Sequence, residues 1–597
     1  MVTPPGLKAG TDEGEGQVGG KRVPSVLLAC LMCLLVACGS SSGSGGPSGD
    51  PGPADETPRP PPAVDSGQPP PGDPDGGVPD SGQPSGGPDA GAPDAGPQPT
   101  VCGPTAGPAR WAREGEQVTA TVTCATGHAA PGLRFAVDNL PRGASFDEAT
   151  ATLRWTPAGD QAAVWNLTLR ERSTGETGTL KVGVATTIVS TDGKVKSVDP
   201  ATYPEEYGLP VFHLSYGPDG LSAGGYRPAR LVYRGRSYEL EAKYRGATSS
   251  VFPKRSLTLK FPDEVLFSEP VFGDGFVNKK RLVLITTFND NSYVRARLAF
   301  DLWNRMSPDH VRIHTFSAVV YANGRYMGVY TVADHVDKRL MAAHGVSKDA
   351  DLFKAVDNNA NFSRLRKHGG AKASLSEGLE KKEGTPEEGR PGAFDTMSEL
   401  IGFVSDSDAA AFRAGFGQRM NTQDYADWWI FNTLILGLDS QAKNAYHAHD
   451  PATRGPWRFI PWDLDASFGQ HFDTTRTSPT ARPTFAEDNL LFQRMLAEPS
   501  IAAPMRERYR KLLRDELKLE TVLSLIDGYQ REIDPAARRD WARWEQQYRS
   551  FGAPGTIGEG NFPSWNKRQD FNTYEQELDY VRDWVRARWP ALEGRLP

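Results

Sequence analysis

A long stretch near the N-terminus has almost no apolar side chains, and it limits which parts of this chain can fold. From Gly39 to about Thr100 the sequence is nearly all Gly, Pro, Ser, Asp and Ala. Such a segment has too little apolar surface to offset the entropy that it would lose on ordering. We therefore predict an extended, partly polyproline tether over residues 38–100.

The segment ahead of the tether has the pattern of an export signal. Lys21 and Arg22 precede an apolar run over residues 26–37, which is too short to span a bilayer but suits the core of a signal peptide. The run ends in Leu35-Val36-Ala37-Cys38, which resembles a bacterial lipobox. Residues 1–37 are thus predicted to be a signal peptide, and Cys38 the lipidated residue. An ordinary signal peptide cleaved nearby is the alternative.

Lipidation at Cys38 would anchor the protein at the outer membrane or cell surface, or in the periplasm. No Asp follows Cys38, which favours the outer membrane where the cell has one. The net charge is −7, so a nucleic-acid partner, which would favour a basic stripe, is not expected. No sequence feature sets an oligomeric state.

Residues 101–187 show the alternation of apolar and polar side chains that is typical of half-buried strands, for example from Val118 to Cys124. Residues 139–147 and 153–157 resemble the Ig- and cadherin-like repeats of bacterial surface proteins. Short strands separated by Pro/Gly turns suit a small all-β sandwich. A spacer role is predicted, with a carbohydrate- or protein-binding role as the alternative.

Two cysteines remain once Cys30 and Cys33 leave with the signal and Cys38 is acylated. Cys102 and Cys124 are then an even pair in an exported chain, which predicts a disulfide. Two unrelated buried thiols are the alternative.

Residues 197–597 change from strand-like runs to helix-like stretches, which is an α+β pattern. Strands are predicted at residues 231–233, 256–261, 281–285 and 318–321, and helices at residues 293–306, 424–436 and along the tail past Ile501.

The sharpest group of polar residues follows the second of these helices. Asp439 and Asn444 have the spacing of a protein-kinase catalytic loop, in which the Asp acts on the incoming hydroxyl and the Asn holds magnesium. Asp463 comes after a predicted hairpin, where kinases place the Asp that joins metal to phosphate. Magnesium prefers such oxygen ligands. A turn or a calcium-binding loop would also fit this spacing.

The surrounding blocks resemble the CotH kinase family, the spore-coat protein H-like secreted kinases. They run in the family's order between about Val211 and Gly469, and the tail past Ile501 resembles the family's C-terminal region. The blocks are residues 244–256, 288–290 with Arg295, 298–302, 323–330, 336–338 and 353–354.

The resemblance implies a divergent protein-kinase-like domain with a β-rich N-lobe and a helical C-lobe. It implies an extracytoplasmic enzyme that uses ATP and magnesium, or another divalent cation, to phosphorylate Ser or Thr of envelope or surface proteins. Asp439 would be catalytic. Asp463, Asn444 and Asp465 would hold the metal.

The nucleotide-binding residues are less sharply indicated. Lys254 is the first choice for the phosphate-pairing lysine because it lies in a family block, and Lys260, on an alternating strand, is the other. Either would otherwise be a solvated lysine at a strand edge. Arg245 would hold phosphate or pair with a carboxylate. Arg295 would orient the nucleotide or a catalytic carboxylate, or would make a salt bridge that packs its helix.

Two features depart from the family's pattern. Asp334-His335 stands where the family commonly has Glu two residues before the block that begins at Val336, a change that would alter adenine contacts or have no effect. Residues 358–391 are charged and Gly-rich, which predicts an inserted surface loop.

Two other functions compete with the kinase. A surface adhesin would use the tether and the sandwich but would have no need of the acidic group, so binding of ATP and magnesium separates the two. A polysaccharide hydrolase using Asp463 and Asp465 is disfavoured, because neighbouring carboxylates on one strand point to opposite faces, whereas a glycosidase needs them on either side of one bond.

The lipobox gives the first prediction. Replacing Cys38 by Ser should release the protein from the membrane fraction or block its processing, because Ser has no thiol to acylate. Detergent partitioning of the two forms measures this. Equal partitioning of both into detergent would rule out lipidation at Cys38.

Overall fold

The computed structural model describes residues 102–125, 132–187, 198–246, 248–269, 276–286, 288–551 and 569–597. The predicted signal peptide, Cys38 and the tether lie outside these residues. The described part is mixed α/β, with nine α-helices and several sheets. None of its helices has the length and apolar character needed to cross a membrane.

The first strands lie between residues 104 and 185 and share one apolar core. They are β1 (Pro104–Thr105), β2 (Arg110–Arg113), β3 (Val118–Thr121), β4 (Thr123–Cys124), β5 (Phe135–Asp138), β6 (Ser145–Asp147), β7 (Thr152–Trp155), β8 (Ala163–Glu171) and β9 (Thr177–Ala185). One sheet has the order β2-β9-β8-β5 and another β3-β7-β6. Leu167 of the first and Trp155 of the second are both fully buried in the core. A disulfide joins Cys102 to Cys124. The Ig- or cadherin-like classification stays a prediction.

The next strands form a sheet that closes on itself. They are β10 (Glu205–Glu206), β11 (Leu209–Tyr216), β12 (Arg227–Tyr233), β13 (Arg236–Tyr244), β14 (Leu257–Lys260), β15 (Arg281–Ile285), β16 (Thr315–Ala322) and β17 (Arg325–Asp334). β11 pairs antiparallel with β12 and parallel with β16, so seven strands form a ring. Alternate side chains such as Phe212 and Leu214 pack together in an apolar cluster. A closed ring leaves no unpaired strand edge.

The rest of the described chain is mainly helical. Its helices are α1 (Arg295–Met306), α2 (Lys338–Ala343), α3 (Asp395–Asp406), α4 (Ala409–Arg419), α5 (Thr422–Ile435), α6 (Leu490–Ala497), α7 (Pro499–Arg514), α8 (Leu519–Ser550) and α9 (Tyr574–Gly594). A small sheet of order β19-β18-β20-β21 contains β18 (Asp351–Ala355), β19 (Leu379–Glu383), β20 (Ala445–His449) and β21 (Arg458–Pro461). Helix α5 is buried almost all round, which agrees with its apolar sequence.

The charged segment over residues 358–391 is not only a surface loop. Its strand β19 pairs with β18 at the edge of the small sheet. Lys381 on this strand is buried and makes an ion pair with Asp351 at 2.5 Å. The loop prediction is therefore wrong for this strand, because part of the charge that suggested solvent exposure is paired inside the fold.

Helix α1 is joined to the C-terminal helix by a buried cation. Arg295 donates hydrogen bonds to Asp290 at 2.6 Å, to Glu577 of α9, and to the carbonyl oxygen of Ser467 at 3.1 Å. Of the roles considered for Arg295, the structure shows the packing salt bridge. Burial would raise the pKa of Glu577, but Arg295 and Arg476 outweigh it and lower that pKa to about 2.

This network predicts a measurable dependence of stability on pH. Because the pKa of Glu577 is below its ordinary value of 4.5 in the folded state, its stabilisation is complete above about pH 5 and is lost as the pH falls towards 2. Glu577→Gln should cost about 3–5 kcal/mol at neutral pH, since it takes from buried Arg295 one of its two carboxylate partners and leaves only Asp290. It should also flatten the fall in stability on acidification.

Urea unfolding of wild type and variant between pH 3 and 7 measures both effects. Glu575→Gln, on the exposed side of the same helix, is the matched control and should change stability by at most about 1 kcal/mol. Parallel acid-stability curves for wild type and Glu577→Gln would contradict the prediction.

Candidate active site

One cavity of about 720 Å³ is lined by residues of both the closed sheet and the small sheet. It contains the predicted catalytic residue, the three predicted metal ligands and one of the three predicted nucleotide-binding residues. These are Asp439, Asn444, Asp463, Asp465 and Arg245.

The predicted catalytic loop begins just after α5. This helix ends at Ile435, and Leu436, which caps it, has the left-handed conformation with φ of 54°. Asp439 then accepts a hydrogen bond from Nδ2 of Asn444 at 3.0 Å and pairs with Nζ of Lys443 at 3.0 Å. Burial raises the pKa of Asp439; Lys443 opposes this rise and Asp463 adds to it. A carboxylate held in this way can accept a proton from a hydroxyl group.

Two site residues have an unusual backbone conformation. Asn444 and Asp463 have φ of 57° and 58°, in the left-handed region that few residues other than Gly occupy. The amide N–H of Trp462 donates to the carbonyl oxygen of Asn444 at 3.0 Å, so the two loops hold each other. Such strained residues cluster at functional sites, where the surrounding structure fixes them.

Asp463 and Asp465 do not alternate along a strand. Strand β21 ends at Pro461, and both carboxylates line the same cavity. The argument that placed them on opposite faces, and so disfavoured a hydrolase, is therefore wrong, and residues two positions apart would share a face even on a strand. Asp465 accepts a hydrogen bond from Asn289. Burial, together with the charge of Asp463, raises the pKa of Asp465 to about 7.

The chemistry of these donors fits a divalent cation that phosphate also ligates. Within the described residues, no group of three or more His, Cys, Asp and Glu side chains could hold a metal on its own. Asp463, Asp465 and Asn444 nevertheless offer the oxygen atoms that magnesium prefers, and phosphate oxygens commonly complete such sites. The amide nitrogen of Asn444 bonds to Asp439, which leaves its amide oxygen for the metal. A cation would also relieve the repulsion that raises the pKa of Asp465.

Three cations that line the same cavity stand outside the ion pairs of the described residues. Arg245, Lys243 and Lys354 make no ion pair within 4.0 Å in the part of the chain that the structure describes, and each lies over an aromatic ring, at 5.3, 4.7 and 5.9 Å. Burial and neighbouring cations, Arg245 among them, lower the pKa of both lysines. Crowded cations of this kind favour a polyanionic ligand.

The two lysines predicted to contact phosphate lie elsewhere. Lys260 pairs with Glu241 at 2.7 Å and remains partly exposed. Lys254 is only 1% exposed, and its Nζ donates to the carbonyl oxygen of Val329 at 2.6 Å and to Asp540 at 2.5 Å. The structure therefore brings neither lysine to the cavity wall.

Asp540 of helix α8 is the centre of a second buried network. Besides Lys254, its carboxylate accepts hydrogen bonds from the amide N–H of Val329 at 2.5 Å and the hydroxyl of Tyr293 at 2.9 Å. Gly328 has φ of 94°, and a Cβ atom there would overlap an oxygen of Asp540. Lys254 and Gly328 belong to two of the blocks that resemble the CotH kinase family. Both blocks thus contact the carboxylate of Asp540, which comes much later in the chain.

Several residues of the cavity had no role in the sequence analysis. Lys354 and Asn289 were part of recognised blocks, and Lys443 stood between the two catalytic-loop positions, so the motifs were an available signal. No motif marked Lys243, and a lysine on an alternating strand is ordinarily a solvated one. Its position in the cavity depends on how the two sheets face each other.

The buried pair predicts that Lys254 acts on stability. Lys254→Met should cost about 3–5 kcal/mol in the free energy of unfolding, because it leaves Asp540 buried without its cation. Lys260→Met, at the partly exposed pair, should cost at most about 1 kcal/mol. Denaturant unfolding measures both. If Lys254→Met kept wild-type stability and lost nucleotide binding, the phosphate role would return to Lys254.

Comparison with known proteins identifies the family of the chain. A family model described as CotH kinase protein matches residues 242–592, from β13 to α9. A search of the curated proteins gives no significant match. The matched region covers more than half of the chain and includes every cavity residue discussed here. The chain therefore belongs to the CotH kinase protein family.

Proposed function

We propose that the protein is an ATP-dependent kinase that phosphorylates Ser or Thr of envelope or surface proteins. The observation that carries the proposal is one cavity that collects carboxylates and an amide suited to a divalent cation, together with three cations that make no ion pair with the residues that the structure describes. Phosphoryl transfer needs mainly this combination of positioning and charge neutralisation. In this proposal the closed sheet is the N-lobe and the helical part the C-lobe. The strands between residues 104 and 185 are an Ig- or cadherin-like spacer.

Different groups of residues act on the nucleotide and on the acceptor. Arg245 and Lys354 bind phosphate oxygens in place of Lys254 and Lys260, because they reach the cavity and pair with no carboxylate of the described residues. Asp463, with Asp465 and Asn444, would hold a divalent cation, which neutralises charge on the phosphates when bound.

Asp439 acts on the acceptor. The acceptor oxygen forms a bond to the γ-phosphorus while the bond to the β,γ-bridging oxygen breaks, ADP leaves, and the hydroxyl proton passes to Asp439. Lys443, at 3.0 Å, favours the ionised form of this carboxylate against the effect of burial. The basic form that must accept the proton is thereby maintained.

The site of action follows from the N-terminal sequence. A diacylglycerol at Cys38 and the Gly/Pro-rich tether would hold the folded part on a membrane surface while giving it reach to protein substrates.

The proposed roles predict that some substitutions impair ATP binding and that others impair only phosphoryl transfer. Asp463→Ala should weaken metal-dependent ATP binding and abolish transfer, because the phosphates lose their cation. Asp439→Asn should keep the affinity for ATP near the wild-type value and lower turnover by roughly 10²-fold or more, the scale for losing a positioned base. Asn444→Ala should fall between them and be partly rescued by added metal.

Titration of a fluorescent ATP analogue, with and without magnesium, alongside a transfer assay on envelope extract separates these cases. Asp450→Asn, in the turn between β20 and β21, is the matched control and should behave as wild type. Loss of ATP binding in Asp439→Asn with retention in Asp463→Ala would reverse the roles. Absence of nucleotide binding by wild type with any divalent metal would replace the kinase by a surface binding module.

A further inference from the structure

Phe472 is an apolar side chain in a cavity whose lining is rich in charge. Phe252 and Trp462 also line the cavity, but each is only 2% exposed and belongs to the main apolar core. Phe472 is half-buried and lies outside the apolar clusters of the described residues. Its ring contacts the ring of its neighbour His471, with 4.4 Å between the centroids. An aromatic ring is thus placed at the cavity where the apolar core does not need it.

The loop that carries Phe472 is held in place by helix α9. The hydroxyl of Tyr580 donates to the carbonyl oxygen of Gly469 at 2.8 Å. Nε1 of Trp584 donates to the carbonyl oxygen of Thr477 at 2.9 Å. Gly469 has φ of 90°, and a Cβ atom there would meet a ring atom of Trp584 at 2.6 Å. A side chain on a loop that is fixed in this way loses little conformational freedom when it binds a ligand.

The same loop lies against the acidic side of the cavity. Nε2 of Gln470 donates to the carbonyl oxygen of Asn289 at 2.6 Å, and the side chain of Asn289 donates to Asp465. Burial raises the pKa of Asp439, and His471 is among the neighbouring groups that lower it. The loop is therefore close to the carboxylate that would receive the proton of the acceptor hydroxyl.

We propose that Phe472 binds an apolar side chain of the acceptor protein, one that is next to the phosphorylated Ser or Thr in the acceptor sequence. The inference rests on the proposed function, because it requires an acceptor hydroxyl at Asp439. An apolar side chain gains by leaving water for the ring, whereas a charged side chain would lose hydration there without a partner. Phe472 is in this way a specificity-determining residue for the acceptor.

The test uses two peptide libraries, with a central Ser or a central Thr and with varied residues on either side. With ATP and magnesium, the purified protein should phosphorylate peptides with Leu, Ile or Phe at one neighbouring position more efficiently than peptides with Gly or Asp there. The expected ratio of kcat/KM is about tenfold, the lower end of what one apolar contact discriminates.

Substitutions of Phe472 should change this preference and nothing else. Phe472→Ala should reduce the preference to within about twofold, because the apolar contact is removed. It should leave the affinity for ATP at the wild-type value. Phe472→Glu should replace the preference by one for Lys or Arg at the same position, since it puts a carboxylate where the ring was. Leu365→Ala, which removes an exposed apolar side chain outside the cavity, is the matched control and should keep the wild-type preference.

The outcomes separate this inference from the proposed function. Absence of an apolar preference in wild type, or its retention in Phe472→Ala or Phe472→Glu, would overturn the inference and leave the kinase in place. Loss of ATP affinity in Phe472→Ala would assign the ring to the nucleotide and would also overturn it. If wild type bound ATP but phosphorylated no peptide of either library, the inference would fail and the nucleotide site would stand. Failure of wild type to bind ATP with any divalent metal would overturn both.

Discussion

The cavity depends on the pairing of Arg295 with Glu577, both of which have fully buried side chains. A charge removed from water is costly unless it is paired and hydrogen-bonded, so this contact leaves the two helices little freedom to separate. The same guanidinium holds the carbonyl oxygen of Ser467, two residues after Asp465. The position of the loop that carries Asp463 and Asp465 is therefore set by helix α9, at the other end of the chain.

The pairing of Lys254 with Asp540 is a second buried ion pair, and it changes how the motif that contains Lys254 is interpreted. Lys254 lies in a block that resembles the CotH kinase family, and such a lysine invites a role at phosphate. Lys254 is buried, and its Nζ donates hydrogen bonds to Asp540 and to the carbonyl oxygen of Val329. These contacts give it a packing role. Membership of a motif shows that a residue type matters at a position, and only the surroundings show whether it matters for the ligand or for the fold.

The sequence predicted the local features well. The strand at β15, helices α1 and α5, and the hairpin before Asp463 follow the predicted pattern, because hydrophobic periodicity and turn residues act over short distances. The meeting of Asp439, Asn444 and Asp463 in one cavity was expected from their kinase-like spacing. The sequence did not predict the closed ring, the strand β19 or the place of Lys243 and Lys354 in the cavity. Each of these depends on pairing or packing between distant segments. His335 was visible as a departure from the family, but its place in the cavity wall was not.

The two buried ion pairs also affect the order in which this molecule can be made. Lys254 and Asp540 are 286 positions apart, and Arg295 and Glu577 are 282 apart. A ribosome releases the N-terminal partner of each pair long before the second. Until then Lys254 lacks Asp540, Arg295 has Asp290 but lacks Glu577, and the loop that carries Asp463 and Asp465 lacks the support of the last helix. The acidic side of the cavity should therefore form abruptly when the last helix is complete, rather than gradually as the chain grows. The distant pairing would act as a timer for the completion of the cavity.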